Sequence, residues 1–115
     1  MHELSIVLSI IDEIGEESEV RGLNKVEVVH LKIGVFSGVD RKALIFAWEL
    51  ACEGTSLDHT RLDIETVPLI IHCAVCRQDR TPPSLYQLCC PECDTPSETI
   101  VSGRELEVVS LEVAA

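Results

Sequence analysis

Leu4, Val7, Leu8, Ile11 and Ile14 recur at three- and four-residue intervals, which predicts an amphipathic helix at the start of the chain. Asp12, Glu13, Glu16, Glu17 and Glu19 fill much of the remaining surface and read as a solvated face. Arg21 suits the last turn and Gly22 a stop. From Lys25 to Val35 the period changes to two. Val29, Leu31, Ile33 and Val35 alternate with Val28, His30 and Lys32, as expected of a half-buried strand. Phe36-Ser37-Gly38 makes a turn, and Asp40 then stands where a helix N-cap belongs. Ala43, Leu44, Ala47, Leu50 and Ala51 follow at helical spacing, with Gly54 as terminator. A second strand is expected over Arg61–Ile71, with Pro68 marking a break or an edge. A third runs from Arg104 to Val113, where the alternation is imperfect and allows a bulge or burial on both faces.

Between these last two strands the texture differs. Residues 72–95 hold five of the six cysteines, several prolines and little apolar periodicity. The expected fold is α+β: two helices packed on a three-stranded sheet, with an inserted zinc-ribbon-like four-cysteine module. The expected division is a domain of residues 1–71 plus 96–115 and a module of residues 72–95.

Composition narrows the picture. At 115 residues the chain fits one domain with a small appendage, and 46% apolar content suffices for a core. Aromatic residues make up only 3%, so that core must be aliphatic and there is little for bases to stack on. Twenty acidic residues against nine basic ones give a formal charge of −11, which opposes binding to nucleic acid phosphates. No apolar run is long enough to span a bilayer, so no membrane partner is expected. Glu3 interrupts the opening and Asp12-Glu13 closes its apolar stretch, unlike a secretory signal. The expected compartment is therefore the cytoplasm, where paired cysteines more often bind metal than form disulfides.

Cys73-Ala-Val-Cys76 and Cys90-Pro-Glu-Cys93 form a Cys-x2-Cys-x13-Cys-x2-Cys pattern. Two residues between cysteines let one tight turn aim both sulfurs at one ion, and two such knuckles close a tetrahedron around zinc. A closed site has no open position for substrate, so its role is structural. Cys89 adjoins Cys90 and competes with it as third ligand, although only Cys90 and Cys93 make a two-residue knuckle. His72 reads as a neighbour of the first knuckle, Cys52 as a buried helix residue, and His30 and His59 as isolated histidines. At the other end, Met1-His2-Glu3 offers an α-amine, an amide nitrogen, an imidazole and a carboxylate. Nitrogen donors in a plane suit Ni(II) or Cu(II). Taken alone, a histidine after the first methionine is ordinarily incidental. No Gly-x-Ser-x-Gly, phosphate-binding loop or His-Glu-x-x-His occurs, so catalysis is not expected.

The opening MHELS, the turn IGVFSGV at residues 33–39, the paired Cys-x-x-Cys and the ending GRELEVVSLEV together resemble the HypA/HybF family of hydrogenase nickel-incorporation proteins. The likeness covers residues 1–113. It implies a cytoplasmic nickel metallochaperone, not an enzyme, that delivers Ni(II) to the large subunit of [NiFe]-hydrogenase and in some organisms serves urease. It implies nickel at His2 with the Met1 amine and Glu3 close by, and zinc at Cys73, Cys76, Cys90 and Cys93. Asp40 matches an acidic position implicated in some members, although a helix cap explains it equally well. The partners implied are the nickel-handling GTPase HypB and the hydrogenase large subunit. Free edges of a three-stranded sheet would also permit a homodimer. The doublet Cys89-Cys90 departs from the usual four-cysteine pattern. The competing readings are a zinc-ribbon protein-interaction module without nickel transfer, and a thiol redox enzyme.

Overall fold

The computed structural model describes residues 3–115 and divides into two compact units. The first takes in the chain up to Leu31, Gly38–Glu65 and Glu107–Ala115; the second takes in Lys32–Ser37 and Thr66–Leu106. The elements in order are α1 (Glu3–Arg21), β1 (Val26–Gly34), α2 (Arg41–Cys52), β2 (Arg61–Val67), β3 (Ile70–Cys73), β4 (Gln78–Arg80), β5 (Thr99–Ser102) and β6 (Leu106–Val113). Among the described residues no helix is long and apolar enough to cross a membrane.

In the first unit the two helices contribute Val7, Ile10 and Ile14 from α1, and Leu44, Ala47, Trp48 and Cys52 from α2, to an interior completed by β1. The sheet order is β2-β1-β6, so the most apolar strand lies in the middle, where it is covered on both edges. The core face of α1 is rotated from the stripe expected of it. Ile10 is buried, whereas Leu4 and Leu8 are 53% and 50% exposed. On α2, Leu50 points outward and Trp48 takes the interior place one turn after Leu44. Trp48 Nε1 donates to the Thr60 carbonyl at 2.9 Å, and the buried Thr60 hydroxyl donates to the Val26 carbonyl at 2.7 Å. These two bonds satisfy polar atoms that would otherwise penalise burial. On β1, Val28 is buried, although alternation groups it with the half-exposed His30 and Lys32. His30 bridges three strands: its Nδ1 lies 3.2 Å from Asp63 on β2, and its Nε2 meets Glu112 on β6. β6 buries none of its residues. Its imperfect alternation therefore reflects an exposed edge rather than burial on both faces.

The second unit holds a sheet that periodicity does not reveal. Its order is β4-β3-β5, with β3 antiparallel to both neighbours. The strand expected over Arg61–Ile71 is split at Pro68, and its last residues become β3 in this second sheet. Ile71 is fully buried at its centre. Two glycines make a close backbone approach possible. A Cβ on Gly34 would stand 1.9 Å from the Gly103 carbonyl oxygen, and Gly103 itself has φ 118°. Gly34 N–H donates to the Glu105 carbonyl at 2.8 Å, and Phe36 N–H to the Gly103 carbonyl at 2.7 Å. Only a residue without a side chain fits there.

Candidate metal centre

β3 ends on Cys73, and the chain turns back through Cys76 into β4. The Cys76 N–H donates to Cys73 Sγ at 3.3 Å, which bends the first knuckle around its own sulfur. The second knuckle closes on itself: Asp94 N–H donates to the Cys90 carbonyl at 2.8 Å, and Cys90 N–H to the Thr95 carbonyl at 2.9 Å. Each knuckle is followed by a residue in left-handed conformation, Arg77 at φ 54° and Asp94 at φ 61°. The same turn is thus used twice. Non-glycine residues accept that backbone at a cost, which here goes into directing the sulfurs inward.

The sulfurs of Cys73, Cys76, Cys90 and Cys93 all lie within 4.8 Å of one another. Among the described residues they are the one such group with metal-ligating spacing. Cys73 and Cys93 are 3.6 Å apart, Cys76 and Cys93 3.7 Å, and Cys76 and Cys90 3.9 Å. A tetrahedron with Zn–S bonds of about 2.3 Å has sulfur–sulfur edges of about 3.8 Å. A disulfide would need about 2.05 Å, and all six cysteines are free. The geometry is that of a four-cysteine metal-binding site. Cys73 and Cys90 are buried, while Cys93 lies at the surface.

The surroundings of the four thiols separate them. Cys93 is pulled down to about 6, first by the Thr95 hydroxyl 3.1 Å away and then by the Thr95 amide. At Cys90 burial opposes ionisation, but the amides of Glu92 and Cys93 outweigh it and the pKa falls. Cys76 is pushed up to about 11, chiefly by its hydrogen bond with Cys93, with Arg80 acting in the opposite direction. A low-pKa thiolate at the rim gives an arriving cation a charged first ligand.

Cys89 stands outside the cluster. Its N–H donates to the Gln87 carbonyl and it bridges to Pro96. His72 is not in the cluster either; its Nδ1 lies 2.9 Å from Asp79, directly across from it on β4. Cys52 is buried in α2, and burial, then Asp58, pushes its thiol up to about 11, as expected of an inert core residue. Arg80 and Thr95 escaped the sequence reading. The register pairs Arg80 with Ile71, so alternation sets it on the same face as Ile71 and Cys73. That signal exists only once the β3–β4 pairing is known.

Met1 and His2 lie outside the described residues. Glu3 begins α1, and its Oε2 is 3.5 Å from the Asp40 amide. Asp40 caps α2, its Oδ1 accepting from Lys42 N–H at 2.9 Å and Ala43 N–H at 3.1 Å. The Glu3 carboxylate at the start of α1 thus meets the backbone at the start of α2.

The family model described as "Hydrogenase/urease nickel incorporation, metallochaperone, hypA" matches residues 1–113. The chain is 43% identical over 113 residues to the hydrogenase maturation factor HypA of Roseiflexus sp. (strain RS-1), covering 97% of this chain and 91% of that protein. It is 42% identical over 114 residues to the HypA of Chloroflexus aurantiacus (strain ATCC 29366 / DSM 635 / J-10-fl), covering 97% and 98%. The solution structure of the Ni metallochaperone HypA from Helicobacter pylori aligns over 100% of this chain and 99% of that one, with a TM-score of 0.69 and 29% identity.

Proposed function

This chain belongs to the HypA family of nickel-incorporating metallochaperones and hydrogenase maturation factors, and on that premise we propose that it carries Ni(II) at its N-terminus and zinc at its cysteines. The zinc-binding module is residues 72–95, with Cys73, Cys76, Cys90 and Cys93 as ligands. The nickel-binding domain is residues 1–71 plus 96–115, with the Met1 amine, His2 and Glu3 as donors and Asp40 beside them. The observation that carries this reading is the closure of the sulfur cluster. Edges of 3.6–3.9 Å fit one ion and leave no coordination position through which cargo could pass.

The division of labour is chemical. Bound zinc would hold the short strands of the second unit together and supply stability that so little apolar material cannot. Nickel needs a different set of donors. Nitrogen and oxygen ligands at a chain end are replaced one at a time by a partner's ligands, so the ion is surrendered stepwise and without redox chemistry. Glu3 supports this assignment, because it sits one residue from His2 and within reach of the α2 start. The positive end of that helix favours carboxylates, which keeps a charged donor in place.

The protein acts in the cytoplasm as a carrier, not a catalyst. Its partners are the GTPase HypB and the [NiFe]-hydrogenase large subunit, with urease as a further recipient, and its free sheet edge permits a homodimer. The test is nickel titration of three forms: native, His2→Ala, and one with residues added before Met1. Both altered forms are expected to lose tight nickel binding and keep one zinc per chain. Equal affinity in all three removes the terminal chelate and leaves a zinc-ribbon interaction module.

A further inference from the structure

We infer that Arg80 is the charge-compensating residue of the four-cysteine site, its guanidinium donating to the thiolates of Cys76 and Cys90 once a divalent cation is bound. The inference rests on those cysteines holding a divalent ion, whichever ion it is.

Four thiolates around such an ion leave two negative charges, and two of the sulfurs belong to fully buried residues. Charge of that kind is tolerated only with a partner close by. The chain as a whole offers no general compensation, since its formal charge is −11. Near the cluster, Arg77, Glu92 and Asp94 are exposed, and Asp79 is engaged by His72. Arg80 differs from all of these. It lies across from the buried Ile71, on the face of β3 that carries Cys73. Its Nε is buried and has no hydrogen-bond partner, and its side chain reaches Cys76 and Cys90. A thiol is a weak acceptor and a thiolate a strong one. The Arg80 Nε–H therefore lacks a partner, and a guanidinium beside Cys76 and Cys90 gains strong acceptors when those sulfurs are ionised. Partners of this second layer commonly set metal affinity as strongly as some ligands do.

The experiment compares the full chain with Arg80→Met, which keeps the length of the stem, and Arg80→Lys, which keeps the charge. Zn(II) affinity is read by competition with a chromophoric chelator. The sulfur environment is read from the thiolate-to-metal absorption of the Co(II)-loaded protein. Arg80→Met should lower affinity by about 10- to 100-fold and move the absorption to longer wavelength, because sulfur electrons are held less tightly without the cation. Arg80→Lys should lose less than Arg80→Met, since the point charge is retained although the fork to two sulfurs is not. A change of less than about threefold in Arg80→Met overturns the inference, as does an equal loss in both variants, which would mark a packing role. Should Arg80→Met fail to hold the β4-β3-β5 sheet, the neutral Arg80→Gln takes its place: a loss larger than that of Arg80→Lys supports the inference, and one no larger overturns it. Failure of the native chain to bind Zn(II) would instead sink the premise.

Discussion

The two regions proposed to handle metal in this protein are built by opposite rules. The cysteine cluster assembles four identical donors from two knuckles, repeats one turn geometry, buries two of its residues and satisfies its sulfurs from within. The region around Glu3 and Asp40 brings one carboxylate to the backbone at the start of α2, and the other is already committed to capping that helix. On the proposed reading, the first arrangement suits retention of an ion and the second suits exchange. A carrier protein needs both, because the ion that holds the fold must not be the ion that leaves.

The largest expected effect comes from breaking the closed region. Cys90→Ser should abolish stoichiometric metal and melt the β4-β3-β5 sheet, since apparent binding energies of about 10 kcal/mol are folding energy in such modules. Elemental analysis with circular dichroism would show it. Cys89→Ser should leave both unchanged, because Cys89 lies outside the cluster. Equal losses in the two variants would mean that the doublet shares the third ligand. Next in size is Gly34→Ala, which drives a methyl group into the Gly103 carbonyl and should cost about 3 kcal/mol in denaturant unfolding.

How much of this was legible in the sequence follows the length of each element. α1, α2, β1 and β6 run for 8 to 19 residues, enough for a period to repeat. The Asp40 cap and the four cysteines were legible because each rests on local chemistry. β3, β4 and β5 have only three or four residues apiece, too few to display alternation, and their pairing is set by the knuckles that join them. The rotation of the α1 core face, and the choice of Trp48 over Leu50, depend on what each helix meets across the interior, which spacing alone does not specify. Arg80 was invisible for the same reason. Gly34 and Gly103 show the reverse case. They sit in two of the stretches that carried the family resemblance, and the fold brings them against each other.

Smaller effects sharpen the contrast further. Asp40→Ala should cost about 1 kcal/mol through the lost cap, with metal content at the cysteines unchanged. His30→Gln removes a half-exposed link to Asp63 and Glu112 and should change stability by less than about 1 kcal/mol.

The claim that resident and cargo ions are held by chemically different donors is tested most directly by X-ray absorption at the nickel edge of protein loaded with both metals. The account predicts a nickel shell of nitrogen and oxygen only, alongside a zinc shell of four sulfurs. Sulfur scatterers in the nickel shell would contradict it.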